Sequence, residues 1–169
     1  MSGAWLRRAE PKRRFGIKGA RAAELLRELT LAVPERPNTW SPLRVSERED
    51  SWNVIGRLGS AEFFIEESGE APGITAIEQL CAGTPGAYPV LREDFAVVLG
   101  GATALEVLAQ VCNVNFAVLP ARTVVMTLMI GVSVLVLPQV TDDGMVYRIW
   151  CDPSFGSYLQ SELEQLVNP

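Results

Sequence analysis

The chain has 169 residues, 15 Lys+Arg against 20 Asp+Glu for a net charge of −5, 48% hydrophobic residues and no histidine. Those proportions describe a globular protein and exclude a disordered or fibrous one, and a chain this long needs neither disulfides nor metal to fold. The missing histidine closes every mechanism built on an imidazole base and every metal site built on imidazole ligands.

In chain order, the opening Met1-Ser-Gly-Ala-Trp-Leu-Arg-Arg lacks an apolar h-region. No secretory signal is expected, and the cytoplasm is the expected compartment. Residues 1–36 carry nine Lys/Arg and four Glu, whereas the remainder carries six Arg and sixteen acids. Residues 1–12 read as a basic arm ahead of a single α+β domain, 13–169. The acidic body would repel phosphates, so an acidic protein partner or a plain solvated terminus is expected rather than nucleic acid. Arg7, Arg8, Arg13 and Arg14, with Trp40 as an aromatic anchor, are the candidate interface.

Phe15 and Ile17 alternate as in a strand, and Gly16-Ile-Lys-Gly19 turns the chain into a helix over 20–31 with Ala22, Leu25, Leu26 and Leu29 on one face. Trp40–Ser46 and Phe63–Glu66 read as extended, Ile74–Ala82 as helical, and Ser68–Gly73 and Gly83–Pro89 as surface connections. Val97 and Leu99 lead through Gly100-Gly101 into a second helix over 103–112, with Leu105, Leu108 and Cys112 on its face. Thr123–Pro138, TVVMTLMIGVSVLVLP, is too short to span a bilayer and rich in Val and Thr. It reads as two strands joined through Ile130–Gly131 and stopped by Pro138. Asp142-Asp143-Gly144 is a hairpin turn, and Met145–Arg148 is extended. Asp152 is a plausible N-cap with Pro153 at the first helical position. The last helix then presents Phe155, Tyr158, Leu159, Leu163 and Leu166 to the core.

The chain is also written twice. Gly19–Leu26, GARAAELL, and Gly101–Leu108, GATALEVL, share five of eight positions at an offset of 82. The same offset lays Phe15 and Ile17 on Val97 and Leu99, Trp40–Ser46 on Arg122–Leu128, Phe63–Glu66 on Met145–Arg148, and Ile74–Ala82 on Gly156–Glu164. Two related β-α-β-β-α halves, about 13–82 and 95–166, are expected in one core. Helices on one face of largely antiparallel sheets make the fold class α+β.

Candidate chemistry is sparse. Neither glycine turn matches GxGxxG or GxxxxGK[ST]. Glu62 and Glu66 alternate with Phe63 and Ile65 and read as a solvated face; Glu67 and Glu70 extend the cluster. A Ser or Cys nucleophile lacks its usual base. Cys81, Cys112 and Cys151 are odd in number and widely spaced, which favours three buried thiols over a disulfide framework or metal site. No catalytic residue and no metal ligand is assigned. Trp40, Trp52, Trp150 and Tyr88 are core residues, interface anchors or walls of a ligand slot.

The run Arg14-Phe-Gly-Ile-Lys-Gly-Ala-Arg-Ala-Ala-Glu-Leu-Leu, with Val33-Pro34 and Pro37-Asn38-Thr39-Trp40, resembles the opening of gamma subunits of heterotetrameric sarcosine oxidase. The likeness continues through Ile55-Gly-Arg-Leu-Gly-Ser-Ala-Glu-Phe-Phe-Ile-Glu, Asp94–Phe116 and Ser154–Leu163. Those subunits look like a shortened folate-binding domain of the glycine-cleavage aminomethyltransferase, itself a duplicated α+β unit. The resemblance implies a non-catalytic assembly subunit of a complex that oxidatively demethylates sarcosine or a related N-methyl amino acid. It implies alpha, beta and delta subunits as partners, with FAD, FMN, NAD, tetrahydrofolate and zinc held on them and no cofactor on this chain alone. No membrane partner is expected. The acidic residue with which the aminomethyltransferase acts on folate has no match here. A stand-alone tetrahydrofolate-binding protein or aminomethyltransferase-like enzyme is the alternative.

Overall fold

Alternating apolar residues form strands because period-two patterning places one set of side chains on one face, and here those sets are covered by short amphipathic helices. The computed structural model describes residues 3–10, 12–43, 52–68, 72–142 and 144–168. Among these the fold is mixed α/β, with two five-stranded antiparallel sheets and four helices. The chain divides into two compact units. The N-terminal unit is Pro11–Arg92; the C-terminal unit is Glu93–Pro169 joined by Met1–Glu10.

Residues 4–8 of the expected basic arm form β1 (Ala4–Arg8), an edge strand of the C-terminal unit. The N-terminal unit contains β2 (Arg13–Lys18), α1 (Ala22–Glu28), β3 (Thr39–Pro42), β4 (Val54–Arg57), β5 (Glu62–Glu67), α2 (Pro72–Ala82) and β6 (Tyr88–Val90). Its strand order is β3-β4-β5-β2-β6. Phe15, Ile17, Ile55, Phe63 and Ile65 face the helices and meet Leu25, Leu26, Ile74 and Ile77. Fully burying each such side chain contributes about 1.5–3 kcal/mol. Residues 44–46 of the expected Trp40–Ser46 strand, Glu70 and Asp143 lie outside the described residues.

The C-terminal unit contains β7 (Phe95–Gly101), α3 (Ala104–Val111), a 3-10 turn (Phe116–Val118), β8 (Val125–Met129), β9 (Val132–Thr141), β10 (Gly144–Cys151) and α4 (Gly156–Val167). With β1 the order is β1-β7-β10-β9-β8. Val97, Leu99, Val134, Val136, Tyr147 and Ile149 meet Val107, Leu108, Leu159 and Leu163 under the helices. Trp5 lies directly across from Gly100 in the β1–β7 register, and a Cβ on Gly100 would sit 2.3 Å from the indole Cζ2. Only glycine leaves room for that ring.

The expected β-hairpin replaces the alternative of a membrane segment, and no helix among the described residues is long and apolar enough to cross a membrane. Pro138 does not stop the second strand, which runs to Thr141. β8 pairs only with Val132–Val136, so Pro138 sits where β9 has no neighbour on that side and its missing N–H breaks no β8 bond.

Three expected core residues are exposed: Leu105, Phe155 and Tyr158. In α3 the buried set is Ala104, Val107, Leu108 and Val111, which leaves Leu105 one position off the stripe. Asp152 caps a 3-10 turn, Pro153–Phe155, by accepting from the Ser154 N–H, so α4 starts only at Gly156. Its stripe is then Gly156, Leu159 and Leu163, with Phe155 ahead of the helix and Tyr158 beside the stripe.

Candidate functional site

Both faces of the N-terminal sheet are withdrawn from solvent, and the face away from its helices holds ionised groups. Arg14 stands opposite Glu66 in the β2–β5 register, and its Nε donates to Glu66 Oε2 at 2.5 Å. Glu66 is 2% exposed, so it is not on a solvated face. The alternation of Glu62–Glu67 was correct, but Phe64 and Glu66 share a face that is buried as well. Arg92 lies over the Phe64 ring at 5.5 Å and reaches Glu62 at 3.5 Å.

Glu67 has the parity of Phe63 and Ile65, which carries it under the helical layer, where it too is 2% exposed. Its carboxylate accepts from the backbone N–H groups of Gly73 at 3.3 Å and Ile74 at 3.0 Å, satisfying donors that the start of α2 leaves without an intrahelical acceptor. Arg57 donates to the carbonyls of Pro34, Glu35, Gly59 and Ser60 and so fastens two loops together. Neither role was anticipated. The parity of Glu67 was a usable signal; the carbonyls around Arg57 come from loops that no period describes.

The C-terminal sheet repeats the two-faced burial. Arg148, 3% exposed, donates to Gln139 Oε1 at 3.3 Å and lies 4.9 Å over the Trp150 ring. On the helical side an open depression of about 440 Å³ is lined by Leu105, Leu108, Ala109, Cys112, Phe116 and the 113–117 loop. Asn115 on its rim already accepts from the Ala117 N–H, and Cys112 Sγ lies 3.7 Å from Thr127 Oγ1. The lining is apolar with amide edges, suited to an apolar side chain or small molecule and not to proton transfer.

All three cysteines are free and buried. Burial pushes the Cys81 thiol up, and burial with the charges of Asp152 and Asp94 pushes Cys151 up to about 11. Neither supplies a thiolate at neutral pH. Burial also raises the Tyr147 hydroxyl. Among the described residues no group of three or more Cys, Asp or Glu is placed to hold a metal ion.

The five candidate interface residues fall in both units and differ in exposure. Arg7 and Arg8, in the C-terminal unit, are exposed, over Trp5 at 5.3 Å and Phe95 at 5.2 Å. Arg13, in the N-terminal unit, is exposed and bonds Glu78 and Thr75. Arg14 is committed to Glu66, and Trp40 is 8% exposed. Of the aromatic candidates for a ligand slot, Trp150 is buried and Tyr88 is exposed.

Two antiparallel sheets, each with its helices on one face, define an aminomethyltransferase-like mixed α/β fold. The chain is similar to a chain of heterotetrameric sarcosine oxidase from Corynebacterium sp. U-96 in complex with pyrrole 2-carboxylate, with a TM-score of 0.79 and 16% identity over 97% of this chain and 83% of that one. It is also similar to glycine cleavage system aminomethyltransferase T from Bartonella henselae, with a TM-score of 0.72 and 16% identity over 96% of this chain. It spans 45% of the length of that protein. At such identities the likeness is one of fold. No protein-family model and no curated protein sequence matches the chain.

Proposed function

We propose that the chain is a non-catalytic, gamma-type assembly subunit of a flavin- and folate-dependent, sarcosine oxidase-like complex. The observation that carries this reading is the fold match to a chain of a heterotetrameric sarcosine oxidase over 97% of this chain and 83% of that one. Supporting it, the buried Cys81 and Cys151 thiols are held protonated, and the buried carboxylates Glu66 and Glu67 are engaged by an arginine and a helix start. The partners are alpha, beta and delta subunits in the cytoplasm, with FAD, FMN, NAD, tetrahydrofolate and zinc on them. The substrate is sarcosine or another N-methyl amino acid.

The same reading takes the two units as copies of one element, which holds three strands between its helices, β-α-β-β-β-α, and not the two of the expected β-α-β-β-α. An offset of 82 lays β2 on β7, α1 on α3, β4 within β9 and β5 on the start of β10. The strand orders β3-β4-β5-β2 and β8-β9-β10-β7 correspond, and each ends on a strand drawn from before the other copy, β6 and β1.

Co-expression of the flavoprotein subunits with and without this chain tests the assembly role. Omission should lower the yield of assembled complex and leave flavin chemistry in whatever complex forms; a complex that assembles equally well without the chain overturns it. Arg7, Arg8 and Arg13 are the exposed cations proposed for docking. Replacing all three by Ser should weaken assembly more at low salt than at high salt, because exposed charges are screened. The alternative of a stand-alone tetrahydrofolate binder draws on the likeness to aminomethyltransferase T. It requires a saturable tryptophan-fluorescence change when the isolated chain is titrated with tetrahydrofolate.

A further inference from the structure

Among the described residues the two sheets have four edge strands, and three carry a recognised protection against pairing with another chain. β1 presents Arg7 and Arg8, β3 has four residues and Pro42, and β6 has three residues and Pro89. Charge, proline and shortness are the usual devices that keep an edge from recruiting a further strand. β8, Val125-Met-Thr-Leu-Met129, has none of them, and Met126 and Leu128 are 54% and 60% exposed.

The hairpin fixes which groups β8 offers. Ile130 and Gly131 form a two-residue loop with φ of 45° and 80°, and Met129 pairs with Val132. In such a hairpin the closing pair is hydrogen-bonded and bonded pairs then alternate, so Val125, Thr127 and Met129 direct their main-chain groups toward β9. The N–H and C=O groups of Met126 and Leu128 therefore point out from the sheet edge.

We propose that β8 is a self-association edge, pairing antiparallel with β8 of a second copy of this chain about a two-fold axis at Thr127. In that register Met126 of each copy faces Leu128 of the other. Both residues direct main-chain groups outward, so the two pairs close four hydrogen bonds, and their exposed side chains form two apolar cross-strand contacts. Thr127 meets itself at the axis. The segment is self-complementary, as an isologous contact requires. It also lets two chains of net charge −5 meet along a strand without a charged residue. Five residues a side bury less than the ~1,200 Å² of a stable interface, so the association is weak and concentration-dependent.

Sedimentation of the isolated full chain from about 5 to about 500 µM reads this directly. The weight-average mass should rise from 18.5 kDa toward twice that value in the wild type. Leu128→Lys and Met126→Lys should hold it at the monomer mass with unchanged melting. The register has its own readout, which does not depend on the Lys variants folding. An oxidised mixture of Met126→Cys and Leu128→Cys chains should crosslink, and either variant alone should not. A wild-type chain that stays monomeric throughout overturns the proposal, including one that stays monomeric yet recruits a different protein. So does a Lys variant that associates like the wild type, or a Cys variant that crosslinks to itself as readily as the mixture. These outcomes are independent of whether flavoprotein subunits bind the chain.

Discussion

The N-terminal unit carries eleven Lys/Arg against eleven Asp/Glu, and five ion pairs join its described residues. The C-terminal unit carries four against nine, for a charge of −5. It also holds eight of the ten exposed large hydrophobics among the described residues: Leu105, Val118, Met126, Leu128, Val140, Met145, Phe155 and Tyr158. Similar five-stranded sheets thus carry different surfaces. Charges matched within a unit leave little field outside, whereas exposed apolar side chains gathered on one unit mark a docking face. The C-terminal unit is accordingly the one expected to meet other chains.

The largest effect should come from the buried ion pair of the N-terminal unit. Glu66→Ala leaves the Arg14 charge desolvated and should cost about 3–5 kcal/mol in urea unfolding, with amide exchange rising first in β2 and β5. Replacing Arg14 by Met and Glu66 by Leu together should cost much less, because neither charge of the pair is left buried without the other. In the C-terminal unit no ion pair is needed for a comparable test. Gly100→Ala drives a methyl into the Trp5 ring and should cost about 1–3 kcal/mol, with protection lost in β1.

A smaller effect in the C-terminal unit depends on pH. Cys151 is raised from 9.0 to about 11 on folding, so the native state favours the neutral thiol. The contribution of that thiol to stability is complete below pH 9 and is lost as pH rises through about 11. Cys151→Ala should flatten this alkaline decline, measured as melting temperature against pH. The smallest effect belongs to the exposed pair Arg21–Glu24 on α1, 3.0 Å apart. Arg21→Ala should leave the melting temperature within error of the wild type, since such pairs contribute little in water.

The fold was largely legible because its signals are periodic. Phe15 and Ile17, Val97 and Leu99 and the Ile130–Gly131 turn all fall where the patterning places them. The errors share one physical origin. Alternation assigns residues to two faces but does not say whether the second face is covered, so Glu66 read as solvated when it is buried opposite Arg14. Helical stripes likewise depend on where the helix begins, and the 3-10 turn ahead of α4 put Phe155 and Tyr158 on the surface. Contacts across a sheet were hardest to read, because no pairing register is known before the strands are placed. Arg14 was grouped with Arg7, Arg8 and Arg13 by sequence proximity, yet its register partner is Glu66.

The assembly role is tested most directly by capturing the tagged chain from the cells that encode it and weighing the intact complex by native mass spectrometry. The account predicts a heteromeric mass with larger subunits that retain flavin absorbance. A chain recovered alone, or with partners that hold no flavin, would contradict it.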